Sequence, residues 1–153
     1  MKYLSLPPKI KVLEALGAIA DNRIKNLGKN LYEVISSEGD RKYKVYVNLS
    51  LSEACSTDNG TTYRDYVGYP IIAVLMLEGV LPYDEELSRA LAGIKWRELN
   101  TKYKNYAVVE NIVKREVTGR GVSEVRLEEF SEDILAKLRA IKLRKSNVCY
   151  TTS

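Results

Sequence analysis

The stretch Asn30–Leu49, "NLYEVISSEGDRKYKVYVNL", decides the fold. Two runs rich in Tyr, Val and Ile flank Glu38-Gly39-Asp40, whose glycine supplies the positive φ that a short loop needs. In the second run Tyr43, Val45, Val47 and Leu49 point one way, while Lys42, Lys44, Tyr46 and Asn48 point the other. This period-two alternation predicts a β-hairpin with one core face and one wet face.

Upstream, Pro7 and Pro8 open a helix at its first turn, where a missing N–H costs nothing. Ile10, Leu13, Leu16 and Ile19, with Val12 and Ala20 beside them, give it an apolar face that ends near Asp21-Asn22. Downstream, "SEACSTDNGTTYRDYVG" (52–68) reads as a loop, with a tight turn at Asp58-Asn59-Gly60. Pro70 starts an apolar helix, "PIIAVLMLEG", that Gly79 ends. Asp84 is the expected N-cap of the next helix, with Glu85 and Glu86 in its first turn. Leu87, Leu91, Ile94, Trp96, Leu99 and Tyr103 keep a roughly helical spacing, and Tyr106 to Val117 continue it. Thr118-Gly119-Arg120-Gly121 breaks the pattern, and "SEVRLEEF" (123–130) reads as a short strand or extended link. Ser131 is the expected cap of a last helix; Glu128, Glu129, Glu132 and Asp133 near its start favour the helix dipole.

The expected class is therefore α+β: an N-terminal helix and β-hairpin packed by helices, followed by a helical C-terminal half. Residues 1–82 form the helix/β-hairpin/helix module, 83–147 a helical extension packing on it, and 148–153 a flexible tail. A chain of 153 residues with 45% hydrophobic content has enough material for one core. No run approaches the roughly 18 apolar residues of a membrane span, and the charged, proline-containing N-terminus is unlike a signal peptide. The expected location is thus cytoplasmic. Cys55 and Cys149 lie far apart, so free thiols are the expectation rather than a disulfide framework. Abundant Lys and Glu with no glutamine fit a hyperthermophilic, archaeal source, although nine asparagines weigh against it.

The chemistry is narrowed mainly by what is missing. With no histidine, the usual neutral-pH base, histidine-dependent triads and histidine metal sites are excluded. There is no phosphate-loop or dinucleotide fingerprint, and Asp58 with Asp65 offers too few oxygens for a cation. No enzyme activity, cofactor or metal is expected.

The hairpin carries Tyr32, Val34, Ser36, Ser37, Gly39, Tyr43 and Val45; a cysteine-bearing loop follows, then a helix with Ile71, Ile72, Ala73, Val74 and Leu75. Over residues about 30–79 this order resembles the SWIM zinc finger. Family members hold zinc with C-x-C in the loop and C-x-H at the helix start. Here Cys55 stands at one C-x-C position with Thr57 or Glu53 at the other, and Gly68-Tyr69-Pro70 replaces C-x-H. The module is thus SWIM-like with its ligands lost, and zinc-free. The resemblance implies an interaction module for DNA or for proteins.

Charge agrees in part. Net charge is +4, with basic ends flanking an acidic middle. On the wet strand face Lys42, Lys44 and Tyr46, with Arg41 beside them, form a stacking platform for a single strand. Lys137, Arg139, Lys142, Arg144 and Lys145 make the C-terminal helix basic, which the macrodipole alone also explains. The expected function is nucleic-acid association, with DNA or RNA as partner. The alternative is a protein-interaction adaptor or homodimer that uses Trp96, Tyr103 and Tyr106 on one helix face.

Overall fold

A computed structural model describes residues 2–151. Helix α1 (Ile10–Ala20) leads into four antiparallel strands: β1 (Ile24–Gly28), β2 (Leu31–Ile35), β3 (Lys42–Asn48) and β4 (Glu53–Ser56). Helices α2 (Asn59–Arg64), α3 (Tyr69–Leu77), α4 (Glu85–Ala90), α5 (Trp96–Tyr103), α6 (Tyr106–Gly119) and α7 (Glu124–Ala140) follow. Strand β5 (Arg144–Lys145) pairs parallel with β4, and α8 (Val148–Thr151) ends the described chain. The class is α+β: an N-terminal helix, a five-stranded mixed sheet in the order β1-β2-β3-β4-β5, and a mostly helical C-terminal half.

The predicted β2–β3 hairpin forms, with Tyr32 opposite Val45 and Val34 opposite Tyr43. Val34, Val45 and Val47 are buried, as alternation requires. Leu49 departs from the expectation: it lies past the strand end and is exposed. Helix α3 packs between α1 on one side and β3 and β4 on the other, and every residue from Pro70 to Met76 is buried. Removing that much apolar surface from water contributes about 1.5–3 kcal/mol per large side chain. Ser88 Oγ donates to the Leu16 carbonyl at 2.7 Å and fixes α4 on α1.

Several local expectations fail for identifiable reasons. The 52–68 segment contains β4 and α2 rather than a loop. Ala54 is small enough to lie flat in the core opposite Val47, and Asp58 caps α2 by accepting from Thr61 N. The helical spacing from Leu87 to Tyr103 is interrupted at Gly93 (φ 74°), which splits it into α4 and α5. The segment 123–130 is helix, not strand. Ser123 caps α7 by accepting from Arg126 N, and Ser131 lies inside the helix with its hydroxyl on the Leu127 carbonyl. Glu128 and Glu132 therefore sit mid-helix and pair with Lys9 instead of serving the dipole.

The tail and the cysteines also differ from the expectation of a loose end and free thiols. Cys55 and Cys149 form a disulfide. Tyr46 pairs with Cys55 across β3 and β4, so the bond anchors α8 on the sheet face that alternation reads as wet. The Tyr150 hydroxyl donates to the Ser56 carbonyl at 2.6 Å. Residues 152 and 153 of the expected tail lie outside the described residues. At the β5 side of the sheet, Leu4 N donates to the Leu143 carbonyl and Lys145 N to the Lys2 carbonyl, so the N-terminal segment covers that edge. No helix among the described residues is long and apolar enough to cross a membrane.

Candidate functional site

The basic residues picked out from the sequence do not share one surface. Arg41 and Lys42 sit at the start of β3; Arg144 pairs with Glu53, which lies opposite Asn48 at the far end of that strand. Lys42 is exposed and Lys44 half-buried, while the Tyr46 hydroxyl accepts from Asn48 Nδ2 at 3.0 Å. Toward the C-terminus the cations serve the fold. Lys137 pairs with Asp133 at 2.6 Å, and Arg144 donates to the Leu51 carbonyl at 2.9 Å. Lys145 donates to the Thr62 carbonyl and to Asp65 at 2.8 Å, with its ammonium over the Tyr150 ring. Arg139 and Lys142 border a separate hollow beside Leu4 and Val67.

The aromatic set divides as well. Trp96 is 4% exposed and belongs to the core, so it offers nothing to a partner from solution on a helix face. Tyr103 ends α5 and Tyr106 begins α6; Lys104, with φ of 50°, turns the chain between them, and both tyrosines are exposed.

What the fold does assemble is a two-chambered trough where α1, the hairpin turn, α2 and α5 meet. The first chamber has a volume of about 370 Å³. Glu14 and Trp96 line it at buried positions, and Arg41 and Arg97 at more exposed ones. Tyr43, Tyr66, Tyr69 and Tyr106 supply aromatic walls. The second chamber, about 680 Å³, adds Tyr63, Arg64 and Lys104. The two share Asn59, Gly60, Tyr66, Asn100 and Tyr106, so they adjoin.

Glycines and a buried cap hold the walls. A Cβ on Gly60 would run into the Tyr66 ring, and one on Gly68 into the Asp58 carboxylate. Asp58 accepts from Thr61 N at 3.1 Å and from its hydroxyl at 2.9 Å, and Thr61 Oγ1 in turn accepts from Gly68 N at 3.1 Å. On the opposite wall Arg97 pairs with Asp40, and its N–H donates to Ser37 Oγ at 3.3 Å, which ties α5 to the hairpin turn.

The inner end of the trough is polar. Glu14 is 2% exposed. Its Oε1 accepts from Asn100 Nδ2 at 2.8 Å. Lys11 Nζ lies 2.8 Å from Oε2 and pairs with it, so both oxygens of the buried carboxylate are engaged. Burial works against the Lys11 ammonium, but Glu14, Tyr66 and Tyr106 outweigh it and raise the Lys11 pKa above its ordinary value. The ammonium lies 4.9 Å from the Tyr106 ring centroid. Burial likewise pushes the Tyr66 and Tyr69 hydroxyls up, so both stay neutral donors. Asn100 Oδ1 and Trp96 Nε1 are buried with no hydrogen-bond partner.

Of the residues expected from the sequence, Arg41, Trp96 and Tyr106 line this trough. Lys11, Glu14, Asn100 and the tyrosines of the α2–α3 segment were not among them. One sequence signal existed: α1 is apolar on most sides, and Lys11 and Glu14 place an i,i+3 charge pair on a helix buried almost all round.

Among the described residues no group of three or more Cys, Asp or Glu side chains is placed to hold a metal. No curated protein and no solved structure gives a significant match. A family model described as Uncharacterised conserved protein UCP014422 matches residues 4–144, and the chain belongs to that family.

Proposed function

We propose that the protein is a non-enzymatic nucleic-acid-binding protein that takes a single strand in the two-chambered trough. One observation carries this reading: the trough brings Arg41, Arg64 and Lys104 together with stacking-capable tyrosines, beside Lys11 and Arg97, which pair with Glu14 and Asp40. A groove that follows the backbone with cations and offers aromatic faces to successive bases is the arrangement single strands require. The reading moves the interface away from the sheet face, part of which α8 covers, and away from the C-terminal cations already engaged in the fold. The SWIM resemblance, with its implied contact to DNA or protein, points in the same direction. The disulfide also fits a hyperthermophilic source, whose intracellular proteins use such bonds freely.

Fluorescence anisotropy of labelled single-stranded DNA and RNA, at roughly 50 and 200 mM salt, tests it. Binding is expected to weaken about tenfold or more across that range, because displaced counterions drive it. Arg64→Glu with Lys104→Glu is expected to abolish it, and Lys142→Glu to leave it unchanged. No binding at low salt would overturn the reading.

A further inference from the structure

The two chambers of the trough differ in charge and in how they end. In the first chamber most charges are satisfied within the chain: Lys11 pairs with Glu14, Arg97 with Asp40 and Glu38, and Asp58 caps α2. Arg41 lies beside the Tyr43 hydroxyl. What the chamber offers an occupant is an aromatic wall of Tyr43, Tyr66, Tyr69 and Tyr106. The second chamber is the reverse. Arg64 ends α2, and Lys104 stands at the turn between α5 and α6. Neither has an ion-pair or hydrogen-bond partner among the described residues, and none of the residues given above for this chamber is acidic. The chambers also differ at their far ends. Beyond the first, the hairpin turn and α5 are joined, since Arg97 pairs with Asp40 and its backbone N–H donates to Ser37 Oγ at 3.3 Å. Ser36, Ser37 and Arg97 line the chamber at that junction. The second chamber is edged by Tyr63, which is 76% exposed, so the mouth of the trough lies on that side. A strand that runs through a groove needs a way in and a way out, and a trough tied shut at one end gives it the way in alone.

We propose that the trough captures the end of a single strand: the terminal base enters the first chamber, and the phosphate that joins it to the next nucleotide rests between Arg64 and Lys104. The order follows from the chemistry. A base is neutral and gains from stacking on tyrosine rings without a counter-charge. A phosphate needs cations that no carboxylate already neutralises, and the second chamber supplies a guanidinium and an ammonium in that state. The following nucleotide then leaves over Tyr63 at the mouth. This deepens the single-strand reading and rests on it, since a free nucleoside monophosphate presents the same base and phosphate.

Circular single-stranded DNA has no end, which makes it the deciding probe. Its affinity is measured by anisotropy at roughly 50 mM salt beside that of a linear strand of the same length and sequence. AMP and UMP are titrated against the fluorescence of Trp96, the sole tryptophan, which lines the first chamber. The linear strand is expected to bind on the order of tenfold tighter than the circle, because the circle forgoes the stacking of one enclosed base. Thr101 is exposed on α5 and lines the first chamber, so Thr101→Phe narrows the chamber and spares the core. That variant is expected to lose the preference for the linear strand and to keep salt-dependent binding of both. A preference for the linear strand that Thr101→Phe removes supports the end pocket. A preference that survives Thr101→Phe would overturn the placing of the base. Linear and circular strands bound alike would overturn the end pocket and leave the groove standing. AMP or UMP bound, with neither strand bound, would make a free nucleotide the ligand and overturn pocket and groove together, as would no binding by any probe.

Discussion

The trough and the C-terminal clasp are built from the same kinds of residue and use them in opposite ways. In the clasp every polar group named above has a partner within the chain: Lys145 with Asp65 and Thr62, Arg144 with Leu51, Tyr150 with Ser56, Cys149 with Cys55. In the trough a charge pair is buried and two polar atoms beside it go without a partner. Satisfied polar groups hold a fold together, whereas a buried charge pair and unsatisfied polar atoms cost stability, a cost that binding regions tolerate. The contrast separates residues whose loss costs stability from residues whose loss costs binding.

The largest expected effect breaks the clasp. Cys55 and Cys149 are 94 residues apart, so Cys149→Ser releases a long closed loop. Chain-entropy reasoning places the cost at about 4–5 kcal/mol. Denaturant unfolding of the variant, and of the parent protein with and without reductant, reads it; a change below about 1 kcal/mol would show that the tail adds little.

The next effect sharpens the trough side. Lys11→Met alone leaves Glu14 as an uncompensated buried charge and is expected to cost about 3–5 kcal/mol. Lys11→Met with Glu14→Leu removes both charges and is expected to recover most of that loss, or to exceed the parent protein, while ligand binding disappears. If the double variant were as unstable as the single one, the pair would belong with the clasp as a structural element.

Lys145→Ala follows at about 1–2 kcal/mol, since it removes two hydrogen bonds and a contact with the Tyr150 ring. Oligonucleotide affinity is expected not to change, which anisotropy checks.

The smallest effect is one of pH. Hydrogen bonding from Lys9, reinforced by Lys114, holds the Glu128 carboxyl below its ordinary value of 4.5. A carboxylate depressed on folding stabilises the native state above that ordinary value, and the contribution is lost as pH falls below it. Glu128→Gln is therefore expected to flatten the acid limb of the stability curve below about pH 4.5 and to leave the trough untouched.

How legible each region was in the sequence follows from how local its determinants are. The β2–β3 hairpin, α3, the Asp84 cap and α6 rest on patterns within a few residues, namely alternation, a proline start, an acidic first turn and an apolar period. Helix α7 carries a local signal too, since Leu127, Ser131, Ile134 and Leu138 form one buried stripe after the Ser123 cap. Strand β1 is a largely exposed edge that alternates little, and β4 is made of small residues that resemble a loop. Two-residue β5 exists only because β4 offers it an edge. For the site, composition excluded histidine chemistry, while strand alternation pointed to Arg41 and helical spacing to Trp96 and Tyr106, for two different kinds of partner. Nothing local connects Glu14 with Asn100 across 86 positions.

By itself the sequence determined the α+β class, the hairpin with its alternating faces and the central buried helix, because backbone propensity and side-chain period act over one or two turns of chain. Tertiary structure alone decided the disulfide, the covering of one sheet face by the tail, and the meeting of Lys11, Glu14, Tyr66, Asn100 and Tyr106. Those contacts join distant segments, and it is packing of the whole core that brings them within hydrogen-bonding distance.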